Sequence, residues 1–533
     1  MAKSSPSRPH VVVVGGGFGG IAAVRKLKRA DVDVTLIDRH TYNTFQPLLY
    51  QVATASLNPG DVTWFLRAIR AKQKNVRFIK GTVLTMDHAT KTLGLESGLT
   101  VSYDHLILAS GVTTNFFGVP GAEEFAMPLY KRSQALAVRD RMFAALENAV
   151  INRIDEDLRI VVVGGGATGV ETAGAFAELR NNDMPTTYPE LDRKRIHITL
   201  VEMGPHVLGP FHPNLREYAR KALEKRDVDL RLETTVKEVR SDGVVIVKGD
   251  KEEFLQAGIV VWASGVTAHS TLGDWNVPQG RGGRIVTGAH WDVEGLKDVY
   301  AIGDVAISPE PLPQLAQPAI QAGKHVAKLI DRAQDGKDMK SFKYRDKGTM
   351  ATIGRASAIA QIKGLPRLKG FPAWFIWVAL HIATLLGNRN RFATMINLTA
   401  KYLAWGSHNA IVGETPLVVA DNPTTVRALE QRYGEGKSRS LAKKATAAAK
   451  KTAKKATPSK KAAAKKTVAT PAKTPARVAA TPAKAVAKKA PVKAAAKKAT
   501  PAKNAPAKTA AKKAPAKKAP AKTAAKKAPA KRS

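Results

Sequence analysis

The chain has 533 residues and a formal net charge of +41, from 85 lysines and arginines against 44 aspartates and glutamates. It contains no cysteine, which excludes catalysis through a protein thiol and the carriage of sulfur on one. The excess charge is not spread evenly, because most of it belongs to the C-terminal fifth of the chain.

The first predicted element is a buried strand, residues 11–14, that breaks into the glycine pattern G-x-G-x-x-G. The first glycine of this pattern permits a tight turn, the second lets backbone N–H groups approach a pyrophosphate, and the third lets the next helix pack on the strand. A second strand, residues 32–37, ends in Asp38, where a carboxylate can accept a hydrogen bond from a ribose. The unit predicts a dinucleotide site, and its glycines are Gly15, Gly17 and Gly20.

The same pattern returns about 150 residues later, after a predicted strand at residues 160–163. Its helix is followed by a longer loop and by a strand, residues 196–201, that ends in Glu202. An acid at this position repels a 2′-phosphate, so the second unit is expected to prefer NADH to NADPH. Two copies in matching context predict two bound dinucleotides, and the second set of glycines is Gly164, Gly166 and Gly169.

A second internal repeat lies downstream of each fingerprint. Residues 106–111 and 259–265 are apolar strands that end in small residues, where a loop can pass close to a bound nucleotide. Residues 298–306 then form a strand that leads through a glycine to Asp304. The small residues of the repeat are Ala109, Gly111, Ser264 and Gly265.

With these motifs the chain resembles the two-dinucleotide-binding-domain flavoproteins. The resemblance implies an α/β fold with two Rossmann-like domains, and it implies that Asp304 contacts the ribityl and phosphate region of FAD. The FAD-binding domain is then discontinuous and consists of residues 1–120 and 284–345. The NADH-binding domain, residues 121–283, is inserted between its two parts.

Further segments resemble one branch of that superfamily, the type II NADH:quinone oxidoreductases. They are residues 45–54, 113–124, 168–171, 316–323 and 348–355. The resemblance implies that Gln317 and Gln321 lie beside the isoalloxazine ring and the quinone entrance. Read without it, these two side chains would be polar residues one turn apart at the start of a helix. The resemblance also implies FAD contacts from Gln46, Val83 and Ala316.

Glu171 follows the second fingerprint near the start of its predicted helix. By resemblance it faces the nicotinamide and the flavin, where it could order the substrate or relay a proton to the quinone. The alternative is that it only complements the positive end of the helix dipole. We take Glu171, with Gln317 and Gln321, as the candidate catalytic residues, and we expect no metal site.

The absence of cysteine removes neighbouring activities of this fold. Disulfide reductases need a redox-active cysteine pair beside the flavin, and sulfide:quinone reductases need cysteines that carry sulfur. What remains is hydride transfer from NADH to FAD, followed by electron delivery to an acceptor that needs no protein thiol.

The acceptor is inferred from residues 346–436, the predicted membrane-anchoring region. Residues 372–386 are the most apolar run in the chain, interrupted only by His381 and Thr384. At 1.5 Å per residue the run reaches roughly 22 Å, short of the ~30 Å hydrocarbon core, so we do not expect it to span. A buried core helix is one alternative, but the flanks favour a helix in the bilayer interface. The basic and aromatic flanking residues are Lys363, Arg367, Lys369, Arg389, Arg391, Trp374, Trp377 and Trp405.

A second segment, residues 392–405, is apolar with Lys401 on its expected polar face, and the pair predicts an anchor on one side of the membrane. Such an anchor would bring the flavin to a membrane quinone, either menaquinone or ubiquinone. No secretory signal is visible at the N-terminus, so we expect the cytoplasmic face of the inner membrane. Without spanning helices or an intramembrane carboxylate chain, NADH oxidation is expected not to move protons across the bilayer. A homodimer is implied by the resemblance alone.

The composition changes abruptly at residue 437. Residues 437–533 hold 31 of the lysines and arginines and no acid, which leaves +10 for the rest of the chain. This tail is mostly alanine, lysine, proline and threonine, so it cannot bury a core and is expected to be disordered. It resembles the tails of linker histones, and its charge predicts binding to polyanions. We rank the anionic lipids of the cytoplasmic leaflet first, an idle tail second and nucleic acid third.

Two other functions stay open on the sequence. A nucleoid-associated flavoprotein would use the tail on nucleic acid, and a soluble ferredoxin-reductase-like enzyme would have no quinone step. We favour the respiratory enzyme, because the apolar run and its basic flanks suit an acceptor in the membrane.

Overall fold

The computed structural model describes residues 8–152 and 157–403. Within them the helices are α1 (Phe18–Lys26), α2 (Leu49–Ala53), α3 (Ala122–Phe125), α4 (Arg132–Asn152), α5 (Ala167–Glu178), α6 (Met184–Thr187), α7 (Pro213–Glu224), α8 (Ala316–Ala333), α9 (Phe371–Thr384) and α10 (Asn388–Leu403). The strands are β1 (His10–Val14), β2 (Asp33–Asp38), β3 (Tyr42–Thr44), β4 (Thr63–Phe65), β5 (Val76–Lys80), β6 (Val83–Asp87), β7 (Thr92–Leu95), β8 (Thr100–Ser102), β9 (His105–Leu108), β10 (Thr113–Thr114), β11 (Met127–Pro128), β12 (Leu158–Val163), β13 (Ile196–Glu202), β14 (Val228–Leu232), β15 (Thr235–Arg240), β16 (Gly243–Lys248), β17 (Lys251–Gln256), β18 (Ile259–Trp262), β19 (Val266–Thr267), β20 (Ile285–Val286), β21 (Val299–Ala301), β22 (Ala306–Ile307), β23 (Thr349–Gly354), β24 (Ser357–Gln361) and β25 (Leu368–Gly370).

The first fingerprint lies at the end of the central strand of a five-stranded parallel sheet. The strand order is β21-β9-β1-β2-β5. All four valines of β1 are buried, as expected of a parallel strand covered on both faces. Since β21 lies about 190 residues beyond β9, the sheet is completed only after the chain has built a second sheet.

The second sheet repeats the layout of the first. Its order is β11-β18-β12-β13-β14, again all parallel, and β12 leads into the second fingerprint. In each sheet the fingerprint strand lies between the strand that ends in the acid and the strand that ends in small residues. These paired sheets confirm the predicted α/β class with two Rossmann-like units.

Short antiparallel elements join the two units. β10 follows β9, β19 follows β18, and the two pair with each other where the chain leaves the first unit and returns to it. Three-stranded antiparallel sheets, β6-β7-β8 and β15-β16-β17, lie in the first and second parts of the chain respectively.

A third antiparallel sheet, β23-β24-β25, packs against α5. The approach is very close at Gly174, where an added Cβ would lie 2.1 Å from the carbonyl oxygen of Ile353. Only glycine permits this contact, and it brings the strand β23 over the helix that begins at the second fingerprint. The sheet therefore connects α5 to the C-terminal helix α9.

Helix α9 coincides with the most apolar run and buries only one face. Ala373 and Trp377 are 0% and 1% exposed, whereas Phe371 and Phe375 are 58% and 61% exposed. The helix is thus not a buried core helix, and Trp377 does not lie at an outer face as its predicted interfacial role required. No helix in the described ranges is both long and apolar enough to cross a membrane.

Helix α10 corrects the prediction for Lys401. This lysine is 8% exposed, because its ammonium group pairs with Asp183 at 3.7 Å and hydrogen bonds to Ser56. Its helix turns a polar face inward instead, where Asn397 binds Asp61 and Thr394 binds the carbonyl of the same residue. Trp405 and the tail, with their predicted roles, lie outside the described residues.

Candidate functional site

A cavity of about 1900 Å³ joins the first fingerprint to helix α9. It passes the end of β1, the loop after β9, the start of α8 and the start of α5. Twelve of the residues singled out in the sequence line it: Gly15, Gly17, Asp38, Gln46, Val83, Ala109, Gly111, Gly166, Glu171, Asp304, Ala316 and Gln317. The structure therefore gathers residues from the whole length of the folded chain around one volume.

The glycines of the first fingerprint have separate physical tasks. Gly15 has φ +107°, and an added Cβ would lie 2.2 Å from the carbonyl oxygen of Ala109. A Cβ at Gly20 would lie 1.9 Å from the carbonyl oxygen of Gly15, so this glycine serves helix packing. No atom lies within 4 Å of a Cβ built at Gly17, which leaves its backbone open to a ligand.

Two acids face the same cavity. The carboxylate of Asp38 accepts hydrogen bonds from the backbone amides of Gly16 at 2.6 Å and His40 at 2.7 Å, and burial raises its pKa. Burial also raises the pKa of Asp304 to about 6, although Arg284 lowers it. Both carboxyl groups suit the hydroxyl groups of a nucleotide, which can donate hydrogen bonds to them.

The second fingerprint has the same local geometry. Gly164 has φ +111°, and a Cβ added at Gly169 would lie 1.8 Å from the carbonyl oxygen of Gly164. The carboxylate of Glu202 accepts from the backbone amides of Gly165 at 2.5 Å and Gly204 at 2.7 Å. A carboxyl group held by two backbone amides therefore ends this strand, as Asp38 ends its counterpart in the first unit.

The small residues after β18 lie beside the second fingerprint. A Cβ at Gly164 would come within 2.9 Å of the Ser264 side chain. Gly265 has φ +70° and contacts the ring of Phe117, so a side chain there would clash. The loop therefore has room only for small side chains where it passes the second fingerprint.

Glu171 is the most perturbed acid of the cavity. Its carboxylate accepts a hydrogen bond from the backbone amide of Thr352 on β23 at 3.2 Å and another from the side chain of Trp377 on α9. Burial raises its pKa to about 8, although both hydrogen bonds lower it. The carboxyl group is engaged by β23 and α9, which argues against a role limited to the helix dipole.

The two glutamines at the start of α8 differ in position. Gln317 lines the cavity. Gln321 donates to the carbonyl oxygen of Arg345 and accepts from the amide of the same residue, both at 3.0 Å. Its amide group therefore holds the segment before β23 in place.

The end of the cavity at α9 contains residues that the sequence did not mark as site residues. His381 stacks on Trp377, with ring centroids 4.0 Å apart, and meets the edge of Phe45 at 6.1 Å. A signal was present, because Ala373, Trp377 and His381 recur every four residues and so share one helix face. No local signal indicated that Thr352 would supply a hydrogen bond to Glu171.

Within residues 8–152 and 157–403, no group of three or more histidine, aspartate or glutamate residues could hold a metal ion. The polar side chains that line the cavity include acids, cations and neutral groups, among them Asp38, Glu171, Arg39, Lys131 and His381.

Two families match successive parts of the chain. Residues 9–323 match the family described as pyridine nucleotide-disulphide oxidoreductase, and residues 347–405 match the NDH2 C-terminal domain.

Relatives with known names match most of the chain. The type II NADH:quinone oxidoreductase Ndh of Mycobacterium tuberculosis is 36% identical over 75% of this chain and 89% of its own length. The type II NADH:quinone oxidoreductase NdhA of the same organism is 37% identical over 75% of this chain and 87% of its own length. A type II NADH:quinone oxidoreductase of Staphylococcus haemolyticus is 31% identical over 67% and 90%.

Solved structures share the fold at lower identity. NDH2 from Plasmodium falciparum, solved in complex with NADH, has a TM-score of 0.69 and 20% identity over 74% of this chain and 98% of that one. A sulfide:quinone oxidoreductase from Aquifex aeolicus has a TM-score of 0.60 and 17% identity over 80% of this chain and 96% of that one. Since this chain has no cysteine, that second likeness is one of fold.

Proposed function

This chain belongs to the type II NADH:quinone oxidoreductase family, and from that premise we propose that it oxidises NADH and reduces a quinone as a flavoenzyme on the membrane surface. The observation that carries the proposal is the single cavity that runs from the first fingerprint, past Glu171, to the apolar face of α9. Family membership also disfavours a soluble ferredoxin-reductase-like enzyme.

FAD and NADH are the two dinucleotides. FAD supplies the redox chemistry, because it accepts a hydride and passes on the electrons. The FAD-binding domain is residues 1–120 and 284–345, and the NADH-binding domain is residues 121–283. The residues that would hold FAD are Gly15, Gly17, Gly20, Asp38, Gln46, Val83, Ala109, Gly111, Asp304 and Ala316. The residues that would hold NADH are Gly164, Gly166, Gly169, Glu202, Ser264 and Gly265.

The open backbone at Gly17 and the buried acids Asp38 and Asp304 fit an FAD molecule along the cavity. At the other fingerprint, the carboxylate of Glu202 would accept a hydrogen bond from the ribose of NADH and repel the 2′-phosphate of NADPH. The second unit therefore selects NADH.

Glu171 is the proton donor to the quinone. Reduction of a quinone to a quinol takes up two electrons and two protons, and a hydride from NADH supplies both electrons but only one proton. Because the pKa of Glu171 is raised to about 8, its carboxyl group carries a proton at neutral pH. Gln317 would face the same reaction space, while Gln321 positions the segment before β23.

The acceptor enters from the membrane. Helices α9 and α10 leave large apolar side chains exposed beside the exposed cations Lys363, Arg367, Lys369, Arg389 and Arg391. The exposed apolar residues are Phe371, Phe375, Leu380, Phe392, Met395 and Ile396. This arrangement suits a surface that enters one leaflet, which we assign to the cytoplasmic side of the inner membrane. On this surface a menaquinone or ubiquinone can reach the cavity without proton transfer across the bilayer.

The tail is an electrostatic addition to this anchor. Residues 437–533 carry 31 positive charges and no negative one, and an anionic leaflet attracts each lysine by about 1 kcal/mol near its surface. The same charge would bind nucleic acid, which keeps a nucleoid-associated flavoprotein as the second candidate. A homodimer remains the expected assembly.

Rapid mixing of the purified holoenzyme tests the central proposal. NADH should bleach the absorbance of the oxidised flavin, and a quinone should restore that absorbance faster than oxygen does. NADPH should bleach the flavin far more slowly, because Glu202 opposes its phosphate. Failure of NADH to reduce the flavin would contradict the proposed function.

A further inference from the structure

His381 is a polar residue in the last turn of helix α9 that the proposed function leaves without a role. It lines the same cavity as Glu171, at the end formed by the apolar helix. Its ring is stacked on Trp377 with an interplanar angle of 24° and makes a T-shaped contact with Phe45 at an interplanar angle of 81°. The ring is therefore fixed in orientation.

The hydrogen bonding of this ring determines its tautomer. Nδ1 lies 2.7 Å from the carbonyl oxygen of Trp377, and a carbonyl oxygen can only accept, so Nδ1 carries the proton. Burial lowers the pKa of His381 to about 4, so the ring is neutral at physiological pH. In the described residues no hydrogen bond reaches Nε2. This nitrogen is consequently an acceptor with a free lone pair.

Trp377 links this acceptor to a donor. Its backbone carbonyl fixes His381, and its side chain hydrogen bonds to Glu171, whose carboxyl group is protonated at neutral pH. The cavity thus presents two polar groups of opposite capacity: a carboxyl group that can donate and an imidazole nitrogen that can only accept. Both are positioned by the same residue of α9.

We propose that His381 recognises the reduced product, through a hydrogen bond from a quinol hydroxyl group to Nε2. This inference rests on the proposed quinone reduction and adds to it. A quinone offers two carbonyl oxygens, which only accept, so it can bond to Glu171 but not to the neutral imidazole. A quinol offers hydroxyl groups that can donate to Nε2. The bond therefore forms as the hydroxyl group forms, and it favours the late stages of the reaction over the bound substrate.

Equilibrium binding to the oxidised holoenzyme tests the proposal, without NADH and under anaerobic conditions. The probes are 2-methyl-1,4-naphthoquinone and its hydroquinone, whose dissociation constants are measured by titration of flavin or tryptophan fluorescence. We expect His381→Phe, which keeps an aromatic ring but has no acceptor, to weaken hydroquinone binding about tenfold. Quinone binding should change less than twofold.

Two further variants separate hydrogen bonding from packing. His381→Gln restores an acceptor without the ring, so it should keep hydroquinone binding within about threefold of the native protein. Thr384→Val removes a hydroxyl group on the same helix that already bonds to the carbonyl of Leu380, so it should leave the ratio of the two affinities unchanged. Equal losses of both ligands in His381→Phe would overturn the proposal, because a packing role predicts that result.

Nitrogen NMR of the native holoenzyme with ¹⁵N-labelled histidine gives a readout that does not depend on the affinity of a variant. The Nε2 signal of His381, identified by its loss in His381→Gln, should be that of an unprotonated nitrogen. It should shift when the hydroquinone binds and stay unmoved with the quinone. A protonated Nε2 in the free protein would also overturn the proposal. If neither probe binds and quinone fails to reoxidise the flavin, the proposed function fails instead.

Discussion

Glu171 shows how one side chain acquires its chemistry from its surroundings. In water a glutamate is ionised at neutral pH, but here desolvation outweighs two hydrogen bonds and the pKa rises to about 8. Neither Thr352 nor Trp377 carries a charge, so nothing in this contact set forces ionisation. Under the proposed function, this carboxyl group would hold a proton and pass it to the quinone.

We predict that Glu171→Gln slows flavin reoxidation by quinone at least a hundredfold, because general acid catalysis is worth about 10²–10⁴ in rate. Flavin reduction by NADH should change less than threefold, since that step needs no proton from the protein. Rapid-mixing measurements of the two half-reactions separate these effects. The matched control is Glu178→Gln, which alters a second, partly buried acid of α5 that accepts a hydrogen bond from the backbone amide of Arg355.

The pH profile carries the same prediction. As the pH rises through about 8, Glu171 loses its proton, so flavin reoxidation by quinone should slow in the native protein. The reoxidation rate of Glu171→Gln should not change over the same pH range. The free energy of unfolding should also fall as the pH rises, because the folded state holds this proton more tightly than the unfolded state. It should therefore decline between about pH 4.5 and 8 in the native protein. Equal slowing of both half-reactions in the variant would argue against a proton donor.

At the scale of elements, α9 and α10 combine an inward polar or aromatic face with an outward apolar one. On α10 the buried Lys401 and the partly buried Asn397 bind acids of two different segments, while Phe392 and Ile396 remain exposed. The helix is thus tied down by polar contacts and leaves its apolar residues free for lipid. This reverses the usual arrangement of a surface helix in water.

The double variant Phe375→Glu/Phe392→Glu should release the protein from vesicles of anionic lipid. Each exposed phenylalanine contributes about 1.5–3 kcal/mol when buried, so partition should fall more than tenfold. Sedimentation with vesicles at high salt, where the tail is screened, measures this effect. Phe254→Glu is the control, because Phe254 is also exposed but lies on β17 in the second unit. Unchanged partition of the double variant would exclude this face as the lipid contact.

At the scale of the molecule, one structural unit is used twice. Each parallel sheet has its fingerprint strand in the middle. The strand on one side of it ends in an acid, and the strand on the other side is followed by small residues. The antiparallel pair of β10 and β19 marks where the second unit is inserted into the first. The C-terminal sheet then packs on α5 and brings α9 to the cavity that begins at the first fingerprint.

Charge at this scale is divided between the folded enzyme and its tail. Removal of residues 437–533 lowers the formal charge from +41 to +10, so the salt-dependent part of vesicle binding should disappear. NADH-dependent flavin reduction should stay within about twofold of the full chain. Vesicle sedimentation and DNA binding over a salt series compare the two polyanions. A larger loss of DNA binding than of vesicle binding would favour nucleic acid as the partner of the tail.

Local patterns alone predicted the two nucleotide sites, the strands that flank them and the absence of thiol chemistry. The predictions of the two glycine turns and of the strands that flank them are confirmed, because a glycine turn and a strand-end acid act on neighbours only a few bonds or one sheet register away. The charge of the tail is likewise a property of composition.

Only the tertiary structure decided what depends on distant partners. Glu171 meets Thr352 across 181 residues, Gln321 turns to Arg345, and Lys401 is buried against Asp183. The pKa of a buried carboxyl group and the burial of a lysine are set by desolvation and by hydrogen bonds from other elements. A sequence pattern holds the side chains but not these surroundings, because folding brings the surroundings together from separate parts of the chain.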